Sequence, residues 1–208
     1  MVWCKNHKDK PLEYWKKVLF SDESMIELNT SSLAMFRIRR YSDTNPYGEK
    51  YIRQTIRNPL KVMVWGCFGH SGLGDIRIID SYMNSEKYIE TLETSLIPML
   101  HKNSDLVFQD DNAPCHTSKR VKQWHIDKKC KRLEWPSNSP DLNPIENLWY
   151  FLKKKILKKV PKNKNELIKA ILDVWENEIP SNLIENLIES MPRRIEAVLK
   201  NKGGWIKY

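Results

Sequence analysis

The sequence predicts an α/β sandwich on a mixed sheet flanked by helices, with a helical C-terminal part. Three observations predict it. Short apolar runs that end in polar clusters come early, at 18–20, 61–68, 75–80 and 106–108. Apolar residues at helical spacing lie between and after them, at 85–101 and from about Pro114. Beyond 145 the helical period takes over. Strands early, helices interspersed and then clustered late give this layered class.

In chain order, Val18-Leu19-Phe20 ends at Ser21-Asp22-Glu23-Ser24, a strand that delivers polar groups at its C-terminal end. Residues 25–28 and 34–38 are expected to continue it as a hairpin. Residues 39–60 are basic, carry Asn45-Pro46 and Asn58-Pro59 and keep no period, which marks a long loop or arm. Residues 61–68, KVMVWGCF, are apolar without alternation, as expected of a strand covered on both faces. Residues 75–80 supply another strand. Residues 85–101 form a helix with Ile89, Leu92, Leu96, Met99 and Leu100 on one side. The strand 106–108 ends in Asp110-Asp111, and a helix from Pro114 turns Val121 and Trp124 inward. Residues 132–135 read as a short strand closed by Pro136. The loop PSNSPDLNP leads into a helix with Ile145, Leu148, Trp149, Leu152 and Ile156 on one side. Further helices carry Leu167 to Trp175, Leu183 to Ile188, and Ile195 to Leu199 ahead of Gly203-Gly204. One domain is expected over 1–208: a core at about 15–160 with an arm at 40–60, then C-terminal helices from about 161.

Composition narrows the function. Lys and Arg number 35 against 26 Asp and Glu, and the excess is clustered. Residues 37–61 hold seven basic and two acidic residues among aromatics, and 153–164 hold seven lysines and no acid. A single such run is ordinarily a solvated face; two in one basic chain point to a polyanionic partner. The four cysteines lack metal-type or paired spacing, which favours a reduced, intracellular protein. No run of about 18 apolar residues occurs and no signal-peptide core opens the chain, which argues against membrane or secretory destinations.

Three acids stand where the chain leaves regular structure: Asp22, one of Asp110 and Asp111, and Glu146. Carboxylates brought together repel unless a cation neutralises them, so a cluster of this kind predicts hard, oxygen-seeking metals such as Mg²⁺. Each acid also has a structural reading. Asp22 suits a turn, the aspartate pair suits a helix cap, and Asn143-Pro144-Ile145-Glu146 suits an N-cap with a capping-box glutamate. Periodicity alone leaves these alternatives open.

The segments VLFSDES, MVWGCF, VFQDDNAPCHTS, WPSNSPDLNPIENLW and SMPRRIEAVLKNKGG, in this order, resemble the catalytic domain of Tc-one/mariner transposases from about Trp15 onward. The resemblance implies a ribonuclease-H-like fold, a DDE triad of Asp22, Asp111 and Glu146, and two Mg²⁺ or Mn²⁺ ions held by these acids. The 34 residues between Asp111 and Glu146, and Glu as the third acid, match the Tc-one branch. Strand alternation agrees with Asp111 as ligand and Asp110 as its outward-facing neighbour. Asn112 and His116 belong to the family segment and would orient a ligand, touch DNA or satisfy the helix start. Cys115 stands where relatives often carry a basic residue.

The family implies a nuclear enzyme whose partners are transposon ends and target DNA, cut and pasted at TA, with a possible homodimer through the basic arm. Its full-length members carry helix-turn-helix modules ahead of the catalytic domain. The sequence is therefore expected to be a truncated element, a fragment or a gene model missing its 5′ part, without sequence-specific end binding. A remnant that binds DNA non-specifically without transposing is the alternative.

Overall fold

The computed structural model describes residues 1–28 and 60–206. Among these, one four-stranded sheet runs in the order β3-β2-β1-β4. β1 (Val18–Leu28), β2 (Leu60–Gly69) and β3 (Gly72–Ile79) are antiparallel neighbours, whereas β4 (Val107–Gln109) joins β1 in parallel. The sheet is mixed, as the sequence predicts.

β1 differs from its sequence expectation. It does not stop at Phe20 but continues through the polar quartet, paired to β2 from Phe20↔Phe68 to Leu28↔Leu60. A ladder is made by the backbone, so β2 holds these residues extended whatever their side chains are. Asp22 therefore sits mid-strand, opposite Gly66. On its other edge β1 pairs with β4 only from Val18 to Phe20. Beyond that, side chains finish the edge: Ser21 N–H and Oγ donate to Gln109 Oε1 and O, at 3.3 and 2.8 Å, and Asn143 Nδ2 donates to Ser21 O at 3.2 Å. The hairpin partner 34–38 and nearly all of the basic arm lie outside the described residues; Leu60 already opens β2.

Alternation along β1 divides the core. Val18, Phe20 and Ile26 face one apolar cluster and Leu19 faces the other. The first cluster is covered by α1 (Val2–His7), α2 (Leu12–Trp15) and the late helices α6 (Ile145–Lys159), α7 (Lys164–Asn177), α8 (Ser181–Glu189) and α9 (Met191–Lys200). The second lies under α3 (Ser85–Thr91), α4 (Ile97–Lys102) and α5 (Lys119–Asp127). The helix predicted over 85–101 is continuous but opens into a π-type turn at Leu92–Leu96, just before Pro98. Proline has no N–H to give to an i−4 carbonyl, and the wider turn accommodates the loss.

Two further expectations are corrected. The helix after the aspartate pair starts at Lys119 rather than about Pro114; Ser118 caps it by accepting from Val121 N–H, and Val121 and Trp124 are buried as predicted. Residues 132–135 make a single parallel bridge, Phe108↔Arg132, instead of a strand. The lysine run is also less free than its sequence suggests. Lys155 and Lys159 pair with Glu178, at 3.1 and 2.6 Å, and Lys159 also reaches Asp173 at 2.7 Å, stitching α6 to α7.

Candidate active site

The same alternation sorts the acids. Asp22 shares the parity of Phe20 and faces the α6 side, where Trp149 Nε1 donates to its Oδ2 at 3.3 Å. Glu23 turns to the opposite side of the sheet. After β4, Asp110 and Asp111 part in the same way. Asp22, Asp111 and Glu146 line one cleft of about 360 Å³, with Asn112, Trp135 and the 136–140 loop completing its walls. Glu146 lies in the first turn of α6 and is exposed.

Glu146 is not used as a capping-box residue. Asn143 Oδ1 accepts from Ile145 N–H at 3.3 Å, while among the described residues no bond returns from the Glu146 carboxylate to the Asn143 N–H. The Asn143 side chain joins this helix start to β1 through Ser21, which fixes the third acid relative to the first. Asn112 does a similar task, donating to Trp135 O at 2.6 Å and tying the Asp111 turn to the opposite wall.

The three acids ionise differently. Burial, followed by the nearby charges of Glu23 and Glu146, pushes the Asp22 carboxyl up to about 8. Glu146, exposed to solvent on one side, is desolvated where it borders the cleft, and this raises it against the pull of Lys153. For Asp111 burial works against ionisation, but His116 and the Ala113 N–H outweigh it and hold the carboxyl below its ordinary value. His116 Nδ1 lies 2.6 Å from Asp111 Oδ1, and Ala113 N–H donates to the same oxygen at 2.8 Å.

Asp110 does not face outward, contrary to the sequence reading. It points away from the cleft as alternation requires, but into the protein, where it is 1 % exposed. Its Oδ2 accepts from Tyr88 OH at 2.7 Å and its Oδ1 from Arg132 Nε at 2.6 Å. The second face is therefore also polar. Tyr88 stacks on His116 with centroids 4.0 Å apart, and His116 Nε2 sits 3.3 Å from Glu23 Oε1 without hydrogen-bond alignment. Burial would drive the imidazolium's proton off, yet Asp111 and Glu23 together raise His116 to about 11, so it carries a charge between two carboxylates. Sequence reasoning missed Glu23, Tyr88 and Arg132 as supports. The only sequence signal was the doubled aspartate, whose inner member needs a cation that the sequence does not point to.

Among the described residues, no three His, Cys, Asp or Glu side chains draw close enough together to hold a metal ion. The cleft's donor chemistry nonetheless suits a hard cation, since it gathers carboxyl oxygens and the nearby charges of Glu23 and Glu146 help to raise Asp22, a repulsion that a bound cation would relieve.

Residues 17–168 match the DDE superfamily endonuclease family. The chain belongs to this family. Across its whole length this DDE endonuclease is 35 % identical to the Tcb2 transposase of Caenorhabditis briggsae, over 212 residues, and covers 76 % of that protein. It is 36 % identical to the Tc1 transposase of Caenorhabditis elegans over 211 residues, again covering 76 %. Its fold is that of the Mos1 mariner transposase catalytic domain, with a TM-score of 0.71 at 19 % identity, covering 99 % of this chain and 91 % of that one. The Mos1 paired-end complex with Mn superimposes at a TM-score of 0.77 and 20 % identity, where the present chain spans 61 % of the Mos1 chain. It is thus a DDE-type transposase enzyme of the Tc1/mariner group with a ribonuclease-H-like sheet.

Proposed function

We propose that the chain is the catalytic core of cut-and-paste DNA transposition. It would hydrolyse a phosphodiester bond at a transposon end and join the freed 3′-OH to a TA target, with Asp22, Asp111 and Glu146 as the catalytic carboxylates. The observation that carries this reading is that these acids, from three separate elements, line one cleft in a basic chain. Solved Mos1 structures in paired-end form with Mn or Mg, and a pre-cleavage transpososome, support DNA as substrate and a divalent ion as cofactor.

Two Mg²⁺ or Mn²⁺ ions bound by the three acids would activate the attacking oxygen and stabilise the leaving one. The chain's own contributions are positional. β1 presents Asp22 from a paired strand, and Asn143 locks the α6 start to that strand. His116 takes one oxygen of Asp111, which leaves the other for the cleft. Trp135 walls the site, and Trp149 holds one oxygen of Asp22 from the core side.

The test is metal-dependent nicking of duplex DNA, joined to thermal melting. Wild type should nick with Mn²⁺ and melt higher in its presence, since a ligand held only by the native state stabilises it. Asp22→Asn, Asp111→Asn and Glu146→Gln should lose both responses. DNA binding without nicking by wild type, under conditions where a Tc1-type relative nicks, would overturn the proposal.

A further inference from the structure

Beyond the carboxylate cleft lies a second, wider groove of about 760 Å³, lined by Pro140, Asp141, Glu146, Asn147, Tyr150 and Trp205 among others. Pro140 and Glu146 are on the walls of both spaces, so the two adjoin. Building on the transposase reading, we propose that this groove binds an unstacked nucleobase of the DNA strand whose phosphate occupies the cleft, between Tyr150 and Trp205.

Large aromatic side chains are normally covered, yet Tyr150 and Trp205 are 68 % and 74 % exposed. Both are presented by rigid structure. Tyr150 is one turn beyond Glu146 on α6, on the same face of the helix. Trp205 follows α9 in a segment held at both ends: Asn201 Nδ2 donates to Trp205 O at 2.7 Å, and Ile206 N–H donates to Asp141 Oδ2 at 3.2 Å. The floor is also fixed. Arg194, 2 % exposed, donates to Ser190 Oγ, Asp141 O and Asn147 Oδ1. With Asp141 already accepting from two backbone N–H groups, the groove offers aromatic faces more than free polar groups.

Charge decides between a base and an apolar protein segment. Lys154 and Lys158 continue the exposed row Glu146-Tyr150 at four-residue steps along α6, and both are exposed. Aromatic faces beside a line of cations suit a nucleic-acid strand, with stacking for the base and lysines for the phosphates. Stacking tolerates any base, because every base has a π-face.

The proposal is tested on the full chain in EDTA, so that no chemistry is involved and the result stands apart from nicking. The probe is a single-stranded oligonucleotide carrying 2-aminopurine, with the same sequence as a closed duplex for comparison. Wild type should quench the 2-aminopurine. Tyr150→Ala and Trp205→Ala should relieve the quenching and weaken single-strand binding about 5- to 150-fold each. Duplex affinity should change by less than about 2-fold, and Trp205→Phe should restore most of the loss. Melting should be unchanged, since both side chains are exposed. Equal losses on single strand and duplex, or no loss on either, would overturn the proposal. So would unchanged oligonucleotide binding with an altered sedimentation coefficient, which would make the groove a protein contact.

Discussion

Replacing Asp110 by Asn should injure the fold more than the chemistry, and Asp111→Asn should do the reverse. Asp110 is buried against Tyr88 and the Arg132 guanidinium, with the Arg132 Nη2 contact at 2.5 Å. Asparagine preserves the shape and can still accept from Tyr88 OH, but it removes the countercharge of Arg132. Deleting one member of a buried pair costs about 3–5 kcal/mol when both are sealed from water. The Arg132 side chain keeps 23 % of its exposure, and burial raises the Asp110 carboxyl even beside Arg132, so the pair is not strongly favourable to begin with. Both considerations lower the expected cost to about 2 kcal/mol, or about 4–8 °C in Tm for a chain of this size. Asp111 is half-exposed, and Glu23 still faces His116 once the Asp111 charge is gone, so losing the bond to His116 should cost about 1 kcal/mol. Thermal melting and urea unfolding of both variants and wild type at one pH provide the comparison, with Mn²⁺-dependent nicking measured alongside. If Asp110→Asn melts within about 1 °C of wild type, or if Asp111→Asn is the less stable variant, the assignment of structural and chemical roles to the two aspartates is wrong.

Two other outcomes follow from the same geometry. Without metal, folded Asp22 keeps its proton up to about 8 while the unfolded chain loses it near 3.8, so the folded state binds more protons across that window. Stability should then fall as pH rises through it, by less than about 1.4 kcal/mol per unit, and Asp22→Asn should flatten that slope in EDTA; an unchanged slope would mean that Asp22 is ionised throughout. In Gly66→Ala the new Cβ would lie 2.8 Å from Trp149 Cη2 and 3.0 Å from Trp175 Cη2, forcing apart two indoles now stacked at 5.5 Å. A loss of about 1–3 kcal/mol with altered tryptophan fluorescence is expected, and a variant as stable as wild type would show that the stack can yield at no cost.

Much of this architecture could be read from the residues. Short apolar runs located the four strands among the described residues, and helical periodicity located the late helices, because a helix with one buried face imposes its repeat on the chain. The parity argument also correctly put Asp110 and Asp111 on opposite sides. It failed on what each side was. Facing away from the cleft was read as facing solvent, yet α3 covers that side of the sheet, and a tyrosine 22 residues upstream meets the aspartate there. Strand ends were misjudged for a related reason. Polar side chains at 21–24 looked like a terminus, whereas the partner strand, distant in sequence, carries the ladder past them. Glu146 shows the opposite case: its local signature fits a cap completely, yet the packing of α6 against β1 sets its residue on the wall of the cleft. Contacts of this kind depend on sequence separations that a local pattern does not encode.

The alternation of β1 has a consequence for how the site is specified. Ser21-Asp22-Glu23-Ser24 has an acid at each parity and a serine beyond each, so a slide of one residue against β2 would put Glu23 into the cleft and Asp22 beside His116. In charge the two registers are nearly equivalent. They differ in everything around the quartet: Phe20 would exchange cores with Leu19, buried Ile26 would exchange places with exposed Met25, and the acid facing the cleft would no longer lie opposite the glycine that makes room for the indoles. The choice of which carboxylate faces the cleft is thus stored in apolar residues and a glycine that do not line it.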